Sequence, residues 1–170
     1  MNGGMSLLSS TTMETFVMQQ PIDFAQIAPE GYKAMAGLEA YARHSGLDHG
    51  LLELVKTRVS QINGCAFCID MHTKDARAHG ESEQRLYSLA AWRETPFYSK
   101  TERAALAWAE ALTQIAHGGI PDTLRDELLH CFSEKELVDL TLAVIAINGW
   151  NRLAIPFRTP AGSYQVGQFG

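Results

Sequence analysis

Cys65, Cys68 and His72 stand in the run Gly64-Cys65-Ala66-Phe67-Cys68-Ile69-Asp70-Met71-His72. On a helix turning about 100° per residue, the three fall within an arc of roughly 60° on one face. Two thiols that can reach each other beside an imidazole suit redox chemistry. A thiolate, not a thiol, is the attacking species, so a reactive cysteine needs surroundings that lower its pKa from about 8.5. The Asn63-Gly64 break puts both cysteines in the first turn of a new helix, where free backbone amides and the helix dipole favour an anion. His72, one turn beyond Cys68, can take the thiol proton. If one sulfur is oxidised to a sulfenic acid, the other can condense with it to a disulfide, and an external reductant then closes the cycle. The same pattern is half of a zinc site, with Cys65, Cys68 and His72 as three of four ligands. The fourth would have to come from Cys131 or a scattered histidine, so a zinc-stabilised module ranks below redox chemistry. A pair of merely buried thiols is the remaining reading, since free cysteine is among the most buried residue types.

The elements that must hold this motif are legible as helices. A helix is expected from Pro29 to the stop at Ser45-Gly46, where glycine can take the left-handed conformation. Asp48 caps the next, over residues 49 to 62, in which Leu51, Val55, Val59 and Ile62 form an apolar stripe. The motif helix then runs to His79 and ends at Gly80. Ser82 begins a helix through Trp92. Ser99-x-x-Glu102 and Ser133-x-x-Glu136 are capping boxes that open helices over about 100 to 116 and 134 to 155. Between them Pro121 begins a short helix to about Phe132. The last helix is apolar on almost every side, which suits a core centre or a subunit interface. About seven helices and no strand pattern predict an all-α domain over residues 21–158, with a flexible leader over 1–20 and a polar tail over 159–170.

A chain of 170 residues with 46% hydrophobic content fits one domain with a real core. The net charge of −5 and pI near 5.6, with no Lys/Arg cluster against that average, argue against a nucleic-acid partner. No stretch approaches the length of a membrane span and no secretory signal is visible, so a cytoplasmic location is expected. Three cysteines do not make a secreted disulfide framework, and in a reducing compartment C-x-x-C is catalytic or metal-binding. Among other residues, Arg58 falls within the apolar arc of its helix, as a snorkelling side chain, a buried charge pair or an anion contact. Trp108, Trp150 and Asn148-x-x-Asn151-Arg152 can border the site or simply fill the core. Cys131 reads as a buried bystander.

Glu53, eleven residues, Cys65-Ala66-Phe67-Cys68, three residues and His72 together resemble the signature of the carboxymuconolactone decarboxylase superfamily, in its alkylhydroperoxidase D-like branch. The longer run from Glu53 to Cys65 is similar to that branch as well. The likeness extends from about Pro21 to Pro156, and its specific part is residues 53 to 80. The resemblance implies an all-helical bundle assembling as a homotrimer or homohexamer. It also implies a peroxidase with no bound cofactor, acting on a hydroperoxide and recharged by an external dihydrolipoyl-type dithiol donor. By position, Cys68 is then the attacking thiol, Cys65 the resolving thiol, and His72 with Glu53 the proton relay. The helical wheel sets Glu53 apart, because it lies opposite the stripe of Leu51, Val55, Val59 and Ile62, where a carboxylate is ordinarily solvated. The relay therefore requires that face to meet a cleft or a subunit interface. The name-giving peroxidase carries a histidine between its cysteines, and this chain has Phe67, a departure that favours thiol–disulfide exchange over full peroxidase efficiency. Decarboxylase members lack the cysteine pair, which argues against lactone decarboxylation. A redox-sensing oligomer without enzymatic turnover is the alternative from a different class.

Overall fold

The computed structural model describes residues 20–169, so the leader expected over residues 1–20 lies outside the described residues except for Gln20. Among the described residues there are eight α-helices, two short 3-10 turns and no strand. The all-α class is as expected, with one helix more than the sequence suggested. The addition is α1 (Phe24–Ile27), a single turn begun by the Asp23 carboxylate, which accepts from the amides of Ala25 and Gln26 at 3.1 Å each. Next comes α2 (Pro29–Arg43), with proline at its first position, where a missing N–H costs nothing.

The site is built by the pair α3 (His49–Asn63) and α4 (Ala66–Ala78). Asp48 caps α3 by accepting from the Leu51 amide at 2.9 Å. Gly64, at φ +71°, closes it in the left-handed conformation, and the Cys65 amide reaches back to the Ser60 carbonyl at 3.0 Å. A long hydrophobic element thus stops in one residue and the motif helix starts in a new direction.

The helix expected from Ser82 to Trp92 is divided. After α5 (Glu83–Ser88) the chain tightens into a 3-10 turn, Leu89–Glu94, with Ala91 outside helical geometry. Residues three apart eclipse in a 3-10 turn, and this lets Leu86, Leu89 and Trp92 all point inward, where they are buried. Both capping boxes form, at the starts of α6 (Lys100–Thr113) and α8 (Glu134–Ala154). Helix α6 ends earlier than about residue 116 and is followed by a second 3-10 turn, Ile115–His117. Helix α7 (Asp122–Leu129) starts just after Pro121, which caps it, and stops short of Phe132.

Helix α3 is the hub, packed against α4, α6 and α8, while α2 lies along α8. Leu52, Val55 and Val59 of α3 join Ala105 and Ala109 of α6 and Leu140, Val144 and Ile147 of α8 in the main core. Each fully buried Leu, Val or Ile side chain among them contributes about 1.5–3 kcal/mol. The last helix is not covered all round: Val138 and Ile145, two turns apart on one face, are 57% and 50% exposed. Helix α3 is covered all round instead. Its polar side, Glu53, Lys56, Thr57 and Ser60, is as buried as its apolar stripe, which corrects the reading of Glu53 as a solvated charge. Residues 159–169 fold back along α4, where the Gly162 amide donates to Asp70 at 3.0 Å and Tyr164 is only 4% exposed. Among the described residues no helix is long and apolar enough to cross a membrane.

Candidate functional site

Cys65 sits at the cap position of α4, with extended backbone at φ −85° and ψ 97°, and Cys68 lies in its first turn. Both are free thiols, each 1% exposed, with their sulfurs 2.7 Å apart. A disulfide needs about 2.05 Å, so a small displacement joins them. The two thiols differ in acidity. Cys65 is drawn down to about 7, first by its hydrogen bond with the Cys68 thiol and then, against the opposing effect of burial, by the amides of Cys68 and Phe67 and the side chain of Asn151. Cys68 is pushed far up by the same sulfur–sulfur hydrogen bond, by burial and by the charge on Cys65. One negative charge is therefore stable on the pair near neutral pH and a second is not.

Asn151 belongs to a buried amide network. Its side-chain oxygen accepts from Asn63 at 2.8 Å, and its Nδ2 donates to Ser60 Oγ at 3.2 Å. Asn63 also donates to Asn148 Oδ1 at 3.0 Å, and Arg152 donates to that same oxygen at 2.8 Å. The Asn148/Asn151/Arg152 group thus ties the end of α3 to α8, and Asn151 alone of the three is wholly buried against the thiols.

His72 and Glu53 come together as buried partners, Nδ1 to Oε2 at 2.8 Å. A carboxylate can only accept, so Nδ1 carries a ring proton and points it at Glu53, while Nε2 is not part of that bond. Burial works to raise the Glu53 carboxyl, but the His72 hydrogen bond and charge, with Lys56 and Arg43, outweigh it and hold the group below the ordinary carboxylate range. Lys56, itself 2% exposed, is paired with Glu39 of α2. Without such partners, buried charges would each cost several kcal/mol.

Cys68, His72 and Glu53 all reach one cavity of about 540 Å³ enclosed by α1, α2, α4, α8 and the C-terminal segment; Cys65 does not. Its walls are mostly aromatic and apolar, with Phe24, Tyr32, Phe67, Met71, Trp150 and Phe169 among them. Two lining residues escaped the sequence reading. Asp75, one turn beyond His72, lies with Glu53 and His72 in a trio whose nitrogen and oxygen atoms are within 4.8 Å of one another. Tyr164, from the C-terminal segment, hydrogen-bonds both oxygens of Asp75 at 2.8 and 2.9 Å. Asp75 could have been suspected from its helical register with His72, but nothing local in the sequence marks Tyr164.

The trio is compact enough for a cation, yet every member already has a protein partner. The thiols do not join His72 in a comparable cluster among the described residues. Arg58 forms a charge pair with Glu110 at 2.7 Å, and Trp92 donates to the same carboxylate, on the side of α3 away from the cavity. Trp108 is a core residue that donates to Thr141 at 3.0 Å. Trp150 lines the cavity, and Cys131 packs half-buried against the core.

The chain shares 47% identity over 146 residues with the uncharacterized protein YdfG of Bacillus subtilis (strain 168), covering 86% of this chain and 99% of that one. Among solved structures, a protein of unknown function from Agrobacterium tumefaciens, which bears the name of the antioxidant defence protein AhpD, superposes with a TM-score of 0.82 at 45% identity. The match covers 86% of this chain and all of that one. The debrominase Bmp8 superposes with a TM-score of 0.72 at 19% identity, over 81% of this chain and 74% of its own, a likeness of fold alone. Residues 29–111, from the start of α2 through the motif into α6, match the carboxymuconolactone decarboxylase family. The helical bundle agrees with these comparisons, and the chain belongs to the carboxymuconolactone decarboxylase family, within its AhpD-like superfamily.

Proposed function

We propose that this protein is a thiol peroxidase that reduces organic hydroperoxides through Cys65 and Cys68, with His72 and Glu53 moving the proton. The observation that carries the reading is the pair of buried sulfurs 2.7 Å apart, one of which faces an apolar cavity beside a carboxylate-held imidazole. The relative from Agrobacterium tumefaciens, named for an antioxidant defence protein, supports it. Fold alone does not select the reaction, since the debrominase shares it.

One thiol proton passes to His72 and leaves a thiolate on the pair. Cys65 holds that charge at rest, and Cys68 is the sulfur that meets substrate; transfer of the shared proton from Cys68 to Cys65 moves the charge to the cavity side. The Cys68 thiolate attacks the terminal peroxide oxygen, forming the S–O bond and breaking the O–O bond. The alkoxide leaves with the proton held on His72. The Cys65 thiol attacks the Cys68 sulfenic acid, forming the disulfide, and its proton leaves with the hydroxyl as water. Two thiols and one hydroperoxide thus give one disulfide, one alcohol and one water. An external dithiol of dihydrolipoyl type then reduces the disulfide by exchange. Because Phe67 gives the cavity no additional proton-transfer group, thiol–disulfide exchange with an apolar disulfide is the second reading. The protein acts in the cytoplasm as a homotrimer or homohexamer on this proposal.

The test is hydroperoxide turnover with dihydrolipoamide or thioredoxin as donor, in wild type and in Cys65→Ser, Cys68→Ser and Glu53→Gln variants. Either serine variant should lose turnover by about a thousandfold or more, and Glu53→Gln by about a hundredfold. Full activity in Cys68→Ser would sink the assignment. Turnover of a disulfide but of no hydroperoxide would select the second reading.

A further inference from the structure

Two carboxylates approach His72, and only one of them is bonded to it. Glu53 takes Nδ1 at 2.8 Å, whereas Asp75, in the same trio within 4.8 Å, gives both its oxygens to the Tyr164 hydroxyl at 2.8 and 2.9 Å. A carboxylate only accepts, so an imidazole bonded to one carboxylate at Nδ1 and to another at Nε2 must carry a proton on both nitrogens. A protonated ring cannot accept a thiol proton.

We propose that Tyr164 is a positioning residue for the site: by holding Asp75 it keeps the second carboxylate from bonding His72, so that the ring stays paired with Glu53 alone and its Nε2 is left open to the thiol. The C-terminal segment is, on this view, a working part of the site as well as a wall of its cavity. The proposal rests on the reading of His72 as the proton acceptor.

Several features favour it. Tyr164 is 4% exposed, and burial first, then its bond to Asp75, raise its phenol to about 12, so it stays a donor throughout the working range. The segment is anchored independently of the hydroxyl. Asp70 accepts from the Gly162 amide at 3.0 Å, Lys74 donates to the Tyr164 carbonyl at 3.1 Å, and the rings of Tyr164 and Phe169 stack at 5.7 Å. The hydroxyl accepts from the Gly167 amide at 3.3 Å within the segment, while its own proton is directed at Asp75. The other titratable groups around the cavity are Asp23 beside α1, Tyr32, Glu39 and Arg43 on α2 and His44 at its C-terminal cap, with Lys56 of α3 paired to Glu39. None of them hydrogen-bonds His72.

The test compares wild type with Tyr164→Phe, which keeps the ring and the anchors at Asp70 and Lys74 while removing the hydroxyl's bonds to Asp75 and to the Gly167 amide, and with the double variant Tyr164→Phe/Asp75→Asn, which also removes the competing charge. Nitrogen-15 spectra of the imidazole at pH 7 report the ring state without any peroxide. Wild type should show the Nδ1–H tautomer, Tyr164→Phe the doubly protonated ring, and the double variant the single tautomer again. Thiol alkylation at pH 7 should fall about tenfold in Tyr164→Phe, the effect of one pKa unit, and recover in the double variant. Asp70→Asn, which loosens the anchor alone, should leave the imidazole spectrum as in wild type. An unchanged ring state in Tyr164→Phe, or no recovery in the double variant, would overturn the proposal. If the spectra behave as expected while wild type consumes no hydroperoxide, the peroxidase reading fails and the role of Tyr164 stands.

Discussion

Cys65 and Cys68 are useful because they are unequal. One sulfur is drawn down in pKa by the hydrogen bond with its partner thiol and then by backbone amides and Asn151, and the other faces the cavity. Neither property is visible in the C-x-x-C spacing, which treats the two alike. A direct consequence concerns pH. The Cys65 thiol lies below its ordinary value, so the charged form dominates above the midpoint and is lost by protonation below it. Ultraviolet thiolate absorbance of the reduced Cys131→Ser protein, which leaves only the pair, should rise by one equivalent per chain with a midpoint of about 7. No second equivalent should ionise in the same range, because the remaining proton is held by the first charge. Two equivalents rising together near the ordinary thiol value of about 8.5 would show that the pair does not share a proton.

At the scale of elements, α3 explains why Glu53 misled. The wheel assumes that the face opposite an apolar stripe meets water, but α3 is enclosed by α2, α4, α6 and α8, so its polar face is an interior face. Charges there survive only in pairs, Glu53 with His72 and Lys56 with Glu39. Lys56→Met should therefore destabilise the protein by about 3 kcal/mol, because it leaves Glu39 facing the interior unpaired. Lys56→Met/Glu39→Leu should recover most of that loss. Denaturant unfolding reads both, and equal losses in single and double variants would show that the pair is not what matters. By contrast the capping boxes at Ser99 and Ser133 and the stop at Gly64 formed as the sequence indicated, because each rests on residues within a turn or so of one another. The α5 break was not legible, since it depends on Leu86, Leu89 and Trp92 all being drawn to the same core.

The whole molecule leaves an apolar face of α8 uncovered, with Val138 and Ile145 more than half or half exposed on a helix whose opposite side is core. A second copy of the chain is the occupant expected from the proposed assembly. Light scattering of the purified protein should give three or six times the 18.7 kDa of one chain, and Ile145→Glu should lower that mass. A monomer at micromolar concentration would count against the assembly, and an unchanged oligomer in the variant would move the interface away from α8.

By itself the sequence determined the helical class, most helix starts and stops, the thiol pair with its histidine, and the family. These rest on short-range physics: caps, glycine conformations, hydrophobic periodicity and residues one turn apart. Only the tertiary structure decided that Glu53 turns inward to His72, that Cys68 and not Cys65 meets the cavity, and that Tyr164 arrives from the far end of the chain to occupy Asp75. Those are consequences of which surfaces pack together. The polarity of a side chain does not reveal whether water or another helix lies opposite it, and partners 19 and 89 residues apart leave no periodic trace between them.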